Sequence, residues 1–253
     1  DRYPDRFRLF FREKNTGRPT KNVYETAMQA KGEYLAFLEG DDYWTDENKL
    51  QKQVDFLDSH SEYMGTTHGF ELIGEDGKPI QNTRITQLYS WSGDYTWEDW
   101  RIAGARWPGQ TASNVCRNFF HNGKYDYTIL YRAHDFIDDG LIFTFILLQG
   151  KIFRFDEAMA AHRYVEKADG ESWNSLKLRR NYMIEEAELK LTMMKWCEEN
   201  VGLSEFGLTR AKSELKTAVS IFVKGPSRIS WKLFREAVGY YLFHLRFGKV
   251  KRQ

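Results

Sequence analysis

Three carboxylates stand close together near the start of the chain, directly after an apolar run. Glu39, Asp41 and Asp42 follow residues 34–38, and an aromatic pair comes next. Carboxylates this close repel one another unless a cation neutralises them, and hard divalent ions take oxygen ligands of this kind. The cluster therefore predicts a site for Mn²⁺ or Mg²⁺ that would hold an anionic ligand, most simply a nucleotide diphosphate. Acidic runs of this kind also occur as solvated loops or helix caps.

A second acidic group lies at the start of a stretch with helical periodicity that ends at Gly150. Its members are Asp135, Asp138 and Asp139. A positioned carboxylate can remove a proton from an attacking hydroxyl, so this group is a candidate source of a general base. Carboxylates in a first helical turn also interact favourably with the helix dipole, and the same pattern is typical of a helix start without catalytic function.

The elements around the first cluster are predicted to hold it at the edge of a sheet. Residues 20–31 have the apolar spacing of a helix capped by Thr20, and residues 34–38 have that of a buried strand. A second helix, capped by Thr45, runs to about residue 59. The order helix, strand, carboxylates, helix is half of a doubly wound α/β layer. Ligands bind beyond the carboxyl ends of the strands in such sheets, so the carboxylates should border the ligand.

At these positions the chain resembles family 2 glycosyltransferases with the GT-A fold, in particular bacterial members that build surface polysaccharides. The matching stretches are Asn15-Thr-Gly17, Lys21-Asn22, Ala30-Lys-Gly32-Glu33-Tyr34 and Glu39-Gly-Asp41-Asp42-Tyr-Trp44. The resemblance is specific over residues 15–60, weaker to about residue 175 and absent beyond. It implies an α/β fold, a GT-A type Rossmann-like central sheet flanked by helices. The family's opening strand is expected to be missing, because Asp1 stands where the second strand should approach.

The resemblance also implies roles for individual residues. Glu39, Asp41 and Asp42 correspond to the family's DxD cluster, which holds the metal and the sugar nucleotide, with Glu at a position that is usually Asp. Further donor-binding positions are Asn15, Gly17 and Asn22. In the family's Glu-Asp motif the catalytic base precedes the next strand at a similar spacing. Asp139 is therefore predicted to be the base, with Asp138 and then Asp135 as the next candidates.

Acceptor-binding residues are predicted from aromatic and polar side chains that follow the sheet. Residues 81–108 are polar and aromatic without a clean period, which indicates a long loop over the carboxyl edge of the sheet. Flat aromatic faces suit the apolar face of a pyranose ring. The predicted acceptor-binding residues are Trp44 and Trp107 and, because residues 109–117 resemble a family segment that lines the acceptor pocket, Gln110 and Thr111. The alternative is that these tryptophans anchor the loop to the body of the protein.

Near the end of the matching region, family members often carry Tyr-Arg-x-His, whereas this chain reads His162-Arg163-Tyr164-Val165. The usual histidine position is therefore a valine. His162 is a candidate metal ligand, and His162 or Arg163 a candidate contact to the diphosphate. A lone histidine is more often a structural residue than a ligand.

Composition excludes several classes of protein. The net charge of +1 gives no general case for a nucleic-acid partner. Two cysteines, Cys116 and Cys197, are too few for a disulfide framework and indicate a reducing cytosol. No apolar run approaches the ~18–20 residues of a membrane span. We therefore expect a cytoplasmic protein.

The C-terminal third differs in character from the rest. We predict a catalytic domain over residues 1–175 and an α-helical extension over residues 176–253. Residues 224–253 hold eight Lys or Arg against one acid, a local charge of +7, with aromatic residues interleaved. Such helices commonly lie in a membrane interface, which predicts peripheral binding to an anionic surface at the inner face of the plasma membrane. The alternative is that the rings pack on the catalytic domain.

Together these features predict an inverting glycosyltransferase that moves a sugar from a nucleotide-diphosphate sugar, by resemblance a UDP-sugar, to a glycan or lipid-linked acceptor. One alternative is a sugar nucleotidyltransferase, which also holds metal and carboxylates at a strand end. It should carry a glycine-rich phosphate-binding loop that this sequence lacks. The other alternative is a glycan-binding protein with a degenerate transferase domain, against which the two intact carboxylate groups argue.

Overall fold

The computed structural model of the protein describes residues 6–101, 106–137, 139–170, 172–178, 181–202 and 207–247. The strands in these ranges are Tyr34–Ala36 (β1), Tyr43–Trp44 (β2), Tyr63–Ile73 (β3), Gly93–Tyr95 (β4), Val115–Arg117 (β5) and Lys151–Arg163 (β6). The helices are Pro19–Ala27 (α1), Lys49–Ser59 (α2), Thr83–Leu88 (α3), Trp97–Arg101 (α4), Ile129–Arg132 (α5), Asp139–Leu147 (α6), Trp173–Lys177 (α7), Tyr182–Val201 (α8), Gly207–Lys224 (α9) and Arg228–Phe247 (α10).

The strands form one mixed sheet in the order β1–β5–β3–β6–β2, and β4 also pairs with β6. β3 and β6 run parallel, and the other pairs are antiparallel. The predicted α/β class, a central sheet flanked by helices and followed by C-terminal helices, is confirmed. The strands β1 and β3, which a segment containing helix α2 connects, are both antiparallel to β5 and therefore run in the same direction, with β5 between them.

Both predicted helix caps are wrong. Helix α1 begins one residue earlier, at Pro19, whose fixed φ suits a first helical position. The Thr20 hydroxyl instead donates to the carbonyl of His134 at 2.7 Å, which ties α1 to the segment that leads into α6. Helix α2 begins at Lys49, and Thr45 uses its backbone N–H to bond the carbonyl of Met159 on β6 at 3.0 Å.

The prediction of a loop over residues 81–108 is wrong for its described part, 81–101 and 106–108. This stretch contains α3, β4 and α4, and β4 joins the sheet beside β6. Tyr95 on β4 is 2% exposed, and its ring lies 5.2 Å from that of Trp91. A single buried position on a three-residue strand is too short a pattern to distinguish a strand from a loop.

Helix α6 is the apolar centre of the fold. Its residues from Leu141 to Leu147 are buried, because the sheet lies on one side and α8 on the other. Phe145 packs edge-on against Trp196 of α8, with ring centroids 5.3 Å apart. The helix therefore holds its first residue, Asp139, in a fixed position relative to the sheet. A division of the chain at about residue 175 stays a prediction.

Candidate active site

Glu39, Asp42 and His162 form a cluster at one edge of the sheet. Glu39 and Asp42 lie between β1 and β2, and His162 is near the end of β6, which pairs with β2. One ligand atom from each residue lies within 4.8 Å of the others. Carboxylate oxygens with an imidazole nitrogen suit a divalent cation such as Mn²⁺. The donor set therefore fits the metal that the sequence predicts.

Asp42 is the most enclosed member of this cluster. Its side chain has no exposed surface, and it accepts hydrogen bonds from the backbone N–H of Arg163 at 2.8 Å and from Gln110 Nε2 at 2.9 Å. His162 Nδ1 lies 3.0 Å from the nearer carboxylate oxygen of Asp42. A buried carboxylate with this many donors is held in one orientation, as a metal ligand requires.

Charge repulsion and burial shift the pKa values of the cluster. Desolvation, followed by the charges of Asp139 and Asp42, raises the pKa of the Glu39 carboxyl to about 8. Glu39 is exposed to solvent, where a cation can reach it. A bound cation would relieve the repulsion between Glu39 and its carboxylate neighbours, which is one of the causes of the raised pKa. Burial lowers the pKa of His162, but the hydrogen bond and charge of Asp42 outweigh it and the pKa is raised.

Gln110 joins the members of the cluster. Its amide nitrogen donates to Glu39 at 3.2 Å and to Asp42 at 2.9 Å, and it lies 3.1 Å from Nδ1 of His162. Its amide oxygen accepts from the backbone N–H of Ala112 at 2.6 Å, which fixes which end of the amide faces the carboxylates. Gln110 is 7% exposed, so both ends of the side chain are used inside the protein.

Asp139 borders the same cluster. It accepts a hydrogen bond from the Thr111 hydroxyl at 3.1 Å, next to Gln110 in the chain. Its charge also raises the pKa of Glu39. The segment from Gln110 to Thr111 thus contacts the metal-ligand candidates at one residue and the predicted base at the next.

Comparison with known proteins identifies the family. The sequence model of "Glycosyl transferase family 2" matches residues 1–130, about half of the chain. The chain belongs to glycosyl transferase family 2. Its curled sheet, flanking helices and C-terminal helices agree with the GT-A type of fold that the sequence predicted.

Individual relatives in the comparison match shorter stretches. Uncharacterised proteins of Mycobacterium tuberculosis and Mycobacterium bovis are 49% identical over 76 residues, which are 30% of this chain and 22% of theirs. A Bacillus subtilis protein, whose assigned name is that of a teichuronic acid biosynthesis glycosyltransferase, is 31% identical over 80 residues. That match covers 32% of this chain and 31% of the Bacillus protein. The aligned part is thus a fifth to a third of each relative.

Within the family's acidic cluster, the structure separates the two aspartates. Asp42 lies inside the candidate metal site, whereas the Asp41 carboxylate is outside that set. The Asp41 carbonyl accepts a hydrogen bond from Arg163 Nε at 3.1 Å, and the same guanidinium donates to the Gly74 carbonyl at 2.8 Å. Arg163 therefore fixes the loop that carries Asp41. Its predicted contact to a diphosphate stays a prediction.

The other predicted base candidates differ from Asp139. Asp135 is half exposed and forms an ion pair with Arg18 at 2.6 Å. Asp138 lies outside the described residues.

Three of the predicted donor residues, Asn15, Gly17 and Asn22, have hydrogen-bond partners other than Glu39 and Asp42. Asn15 accepts from the backbone N–H of Gly17 at 2.9 Å, a local turn, and Asn22 accepts from Arg12 at 3.2 Å. No hydrogen bond or ion pair among the described residues joins Asn15, Gly17 or Asn22 to Glu39 or Asp42. Their role in donor binding stays a prediction.

The two predicted acceptor tryptophans both have partners inside the protein. Trp44 donates its indole N–H to the Ala112 carbonyl at 3.0 Å, and the buried Lys49 amine lies 4.5 Å from the centre of its ring. Trp107 packs against Trp100 at 5.1 Å, and its ring comes within 4.0 Å of the position a Cβ would take on Gly140. Trp107 thus borders the helix turn that carries the predicted base.

The central contact of Gln110 is the feature that sequence reasoning missed. The sequence predicted an acceptor-binding glutamine, and the structure shows its amide holding carboxylates from a loop about seventy residues earlier. A weak signal was available in Gly109. A Cβ there would lie 2.4 Å from Thr67 Cγ2, so the chain can only pass this close to β3 with glycine.

Replacing Gln110 by Ala should lower the free energy of unfolding by about 1–3 kcal/mol, because Asp42 and the Ala112 N–H each lose a partner inside the protein. Urea unfolding in the presence of a chelator measures this change. The matched control is Gln81→Ala at an exposed position, which should alter stability by less than about 0.5 kcal/mol. Equal stability of the two variants would contradict a structural role for the Gln110 amide.

Proposed function

We propose that this chain contains the catalytic part of an inverting glycosyltransferase. The observation that carries the proposal is the cluster of Glu39, Asp42 and His162 next to Asp139, since the reaction needs one group for the donor and one for the acceptor. The donor is a nucleotide-diphosphate sugar, and by family resemblance a UDP-sugar. Residues 1–175 would form the catalytic domain and residues 176–253 a helical extension.

Glu39, Asp42 and His162 would hold Mn²⁺ or Mg²⁺. When bound, such an ion neutralises the charge of a diphosphate and stabilises it as a leaving group. Gln110 keeps the two carboxylates in place, and Thr111 orients the Asp139 carboxylate. The hydrogen bonds of Gln110 and Thr111 support these roles.

Asp139 would remove the proton from the acceptor hydroxyl. The hydroxyl oxygen forms a bond to the anomeric carbon from the face opposite the diphosphate. The bond from that carbon to the diphosphate oxygen breaks, and the nucleotide diphosphate leaves with the electron pair. One displacement of this kind inverts the anomeric configuration. Asp139 carries the proton until solvent accepts it.

The acceptor is a glycan or a lipid-linked glycan of cell-surface polysaccharide synthesis. This part of the proposal is supported by the Bacillus subtilis relative, whose name refers to teichuronic acid. Trp107 is a predicted acceptor residue, and its ring lies 4.0 Å from the Cβ position of Gly140, next to the proposed base in the chain. The reaction would take place on the cytoplasmic side, where nucleotide-sugars are the donors.

Titration of the protein with nucleotide-sugars, with and without Mn²⁺, tests the proposal. We expect a diphosphate sugar to bind in the presence of Mn²⁺ and to lose affinity in a chelator, and transfer to release the nucleotide diphosphate. Release of pyrophosphate from a nucleoside triphosphate would instead identify a nucleotidyltransferase. Binding of glycans without any binding of nucleotide-sugar would identify a degenerate, glycan-binding protein. Either of these results would overturn the proposal.

Metal affinity should increase with pH until about pH 8. The raised pKa of Glu39 means that below pH 8 a proton occupies the carboxyl and must leave before a cation binds. The raised pKa of His162 acts in the same direction. Calorimetric titration with Mn²⁺ between pH 6 and 9 measures this dependence, which should be at most about tenfold per pH unit for one proton. The variant Glu39→Gln should lose the step near pH 8, and a pH-independent affinity of the unaltered protein would contradict the assignment.

A further inference from the structure

The α9–α10 hairpin has an exposed surface that is both apolar and basic, outside the proposed active site. Its exposed apolar side chains are Val219, Val223, Trp231, Leu242, Phe243 and Leu245. The exposed basic side chains around them are Lys212, Lys216, Lys224, Arg228, Lys232 and Arg235. We refer to these residues together as the hairpin face.

The opposite side of the hairpin accounts for the packing against the rest of the protein. Leu233, Ala237 and Tyr240 are buried. The Tyr240 hydroxyl donates to Glu198 of α8 at 2.6 Å, and His244 Nε2 lies 2.8 Å from the same carboxylate. The sequence offered two alternatives for the aromatic residues here. Tyr240 packs on the protein, whereas Trp231 and Phe243 keep about half of their surface exposed.

The spacing of the hairpin-face residues along α10 is typical of a helix that lies in a membrane interface. Trp231, Leu242 and Leu245 recur at i, i+11 and i+14 along α10, so they lie on one side of the helix. Arg228 and Arg235 are one heptad apart and border that side. On α9, a groove of about 500 Å³ runs past Val219, Val223 and Tyr241 and is edged by Lys212 and Lys216.

The net positive charge of the hairpin favours some classes of binding partner over others. Together α9 and α10 carry eight Lys or Arg and two Glu, counted over residues 207–224 and 228–247. Glu214 pairs with Arg210 at 3.1 Å, and Glu236 lies 3.4 Å from Lys195 and 3.9 Å from Lys232 of the face, so the hairpin keeps a net positive charge. A second copy of the chain would bring like charges together, which disfavours association. A partner that offers only phosphates would leave the apolar side chains in water.

We propose that the hairpin face binds an anionic lipid surface. Basic side chains would contact the headgroups, and Trp231, Leu242 and the α9 valines would enter the boundary between headgroups and acyl chains. This binding does not depend on the proposed transferase activity. Among the described residues, none of the helices combines the length and the hydropathy that a membrane span needs.

Co-sedimentation of the full chain with lipid vesicles tests the proposal. We expect binding to vesicles that contain phosphatidylglycerol, release when salt is raised from about 0.1 M to 0.5 M, and no binding to vesicles of phosphatidylcholine alone, because exposed charges are screened by salt. Each basic residue near an anionic surface contributes about fivefold in affinity. The triple variant Lys212→Glu, Lys216→Glu, Arg235→Glu should therefore weaken binding about a hundredfold or more.

The control variant reverses the same number of exposed charges elsewhere: Lys14→Glu, Lys31→Glu, Lys124→Glu. It has the same net charge as the hairpin variant and should keep vesicle binding within about fivefold. A second variant, Val223→Ser with Leu242→Ser, removes exposed apolar groups without changing charge and should weaken binding about tenfold. Circular dichroism checks that each variant is folded.

Three results would overturn the proposal: no vesicle binding by the unaltered chain, equal losses in the hairpin and control variants, or undiminished binding by the Val223 and Leu242 variant. Analytical ultracentrifugation tests whether a second copy of the chain, rather than a lipid surface, binds to this face. Concentration-dependent self-association that the hairpin variants abolish would assign this face to a second copy of the chain, and would also overturn the proposal.

Discussion

Asp139→Asn is expected to lower the rate of sugar transfer about a hundredfold or more while donor affinity is unchanged, because the amide cannot accept the acceptor's proton. The substitution nearly preserves shape, and the Asn oxygen can still accept the hydrogen bond from the Thr111 hydroxyl. Loss of packing is therefore not a competing explanation. Steady-state rates of nucleotide diphosphate release and calorimetric titration with the nucleotide-sugar measure the two quantities separately.

Asp135→Asn is the matched control for this variant. Asp135 is half exposed and paired with Arg18, so the change should cost little activity. Asp138 is the next candidate for the base after Asp139, and the variant Asp138→Asn tests it. Normal transfer by Asp139→Asn, together with a large loss in either of the other two variants, would mean that the base is a different member of this acidic group.

Local sequence patterns were sufficient for the first acidic cluster. The apolar run 34–38 predicted a strand followed by Glu39 and Asp42, and the structure has β1 at Tyr34–Ala36 with both residues in the loop that follows. Prediction succeeded here because a strand and the loop after it are determined by neighbouring residues. The predicted burial is wrong for most of the run, because β1 is an edge strand in which only Leu35 is buried. The family resemblance covers the same region, and the family match to residues 1–130 confirms it.

The remaining members of the site come from distant parts of the chain. His162 reaches Asp42 across 120 residues because β6 pairs with β2, and no short pattern encodes which strands will pair. The sequence carried His162 only as a minor candidate because the family's histidine position is occupied by Val165. The contact of Gln110 with the cluster depends equally on the packing of Gly109 against β3.

The structure also changes what a substitution at Asp42 should do. A carboxylate in a solvated acidic loop could be removed at little cost, but Asp42 is buried and accepts bonds from Gln110, His162 and Arg163. Truncation to Ala would leave those donors unpaired and destabilise the protein. Asn keeps much of the shape and removes the charge, so it separates metal binding from stability better than Ala does.

Asp42→Asn is therefore expected to weaken Mn²⁺ binding, and with it Mn²⁺-dependent donor binding, by about a hundredfold or more. The loss of metal affinity on removing a charged ligand should exceed the 10–100-fold loss that is typical of removing a group that only supports a ligand. Calorimetric titration with Mn²⁺, and then with nucleotide-sugar at saturating Mn²⁺, measures both effects. Thermal unfolding in a chelator checks that the variant is folded before metal is added.

Asp41→Asn is the sharpest control, since it changes the adjacent residue in the same way. The Asp41 carboxylate lies outside the group formed by Glu39, Asp42 and His162, so Mn²⁺ affinity should stay within about threefold of the unaltered protein. The family's acidic pattern alone predicts a comparable loss at both positions, whereas the structure predicts a loss at one. If Asp41→Asn abolishes Mn²⁺ binding and Asp42→Asn retains it, Asp41 rather than Asp42 is the ligand, and Asp42 serves to hold His162 and the loop in place.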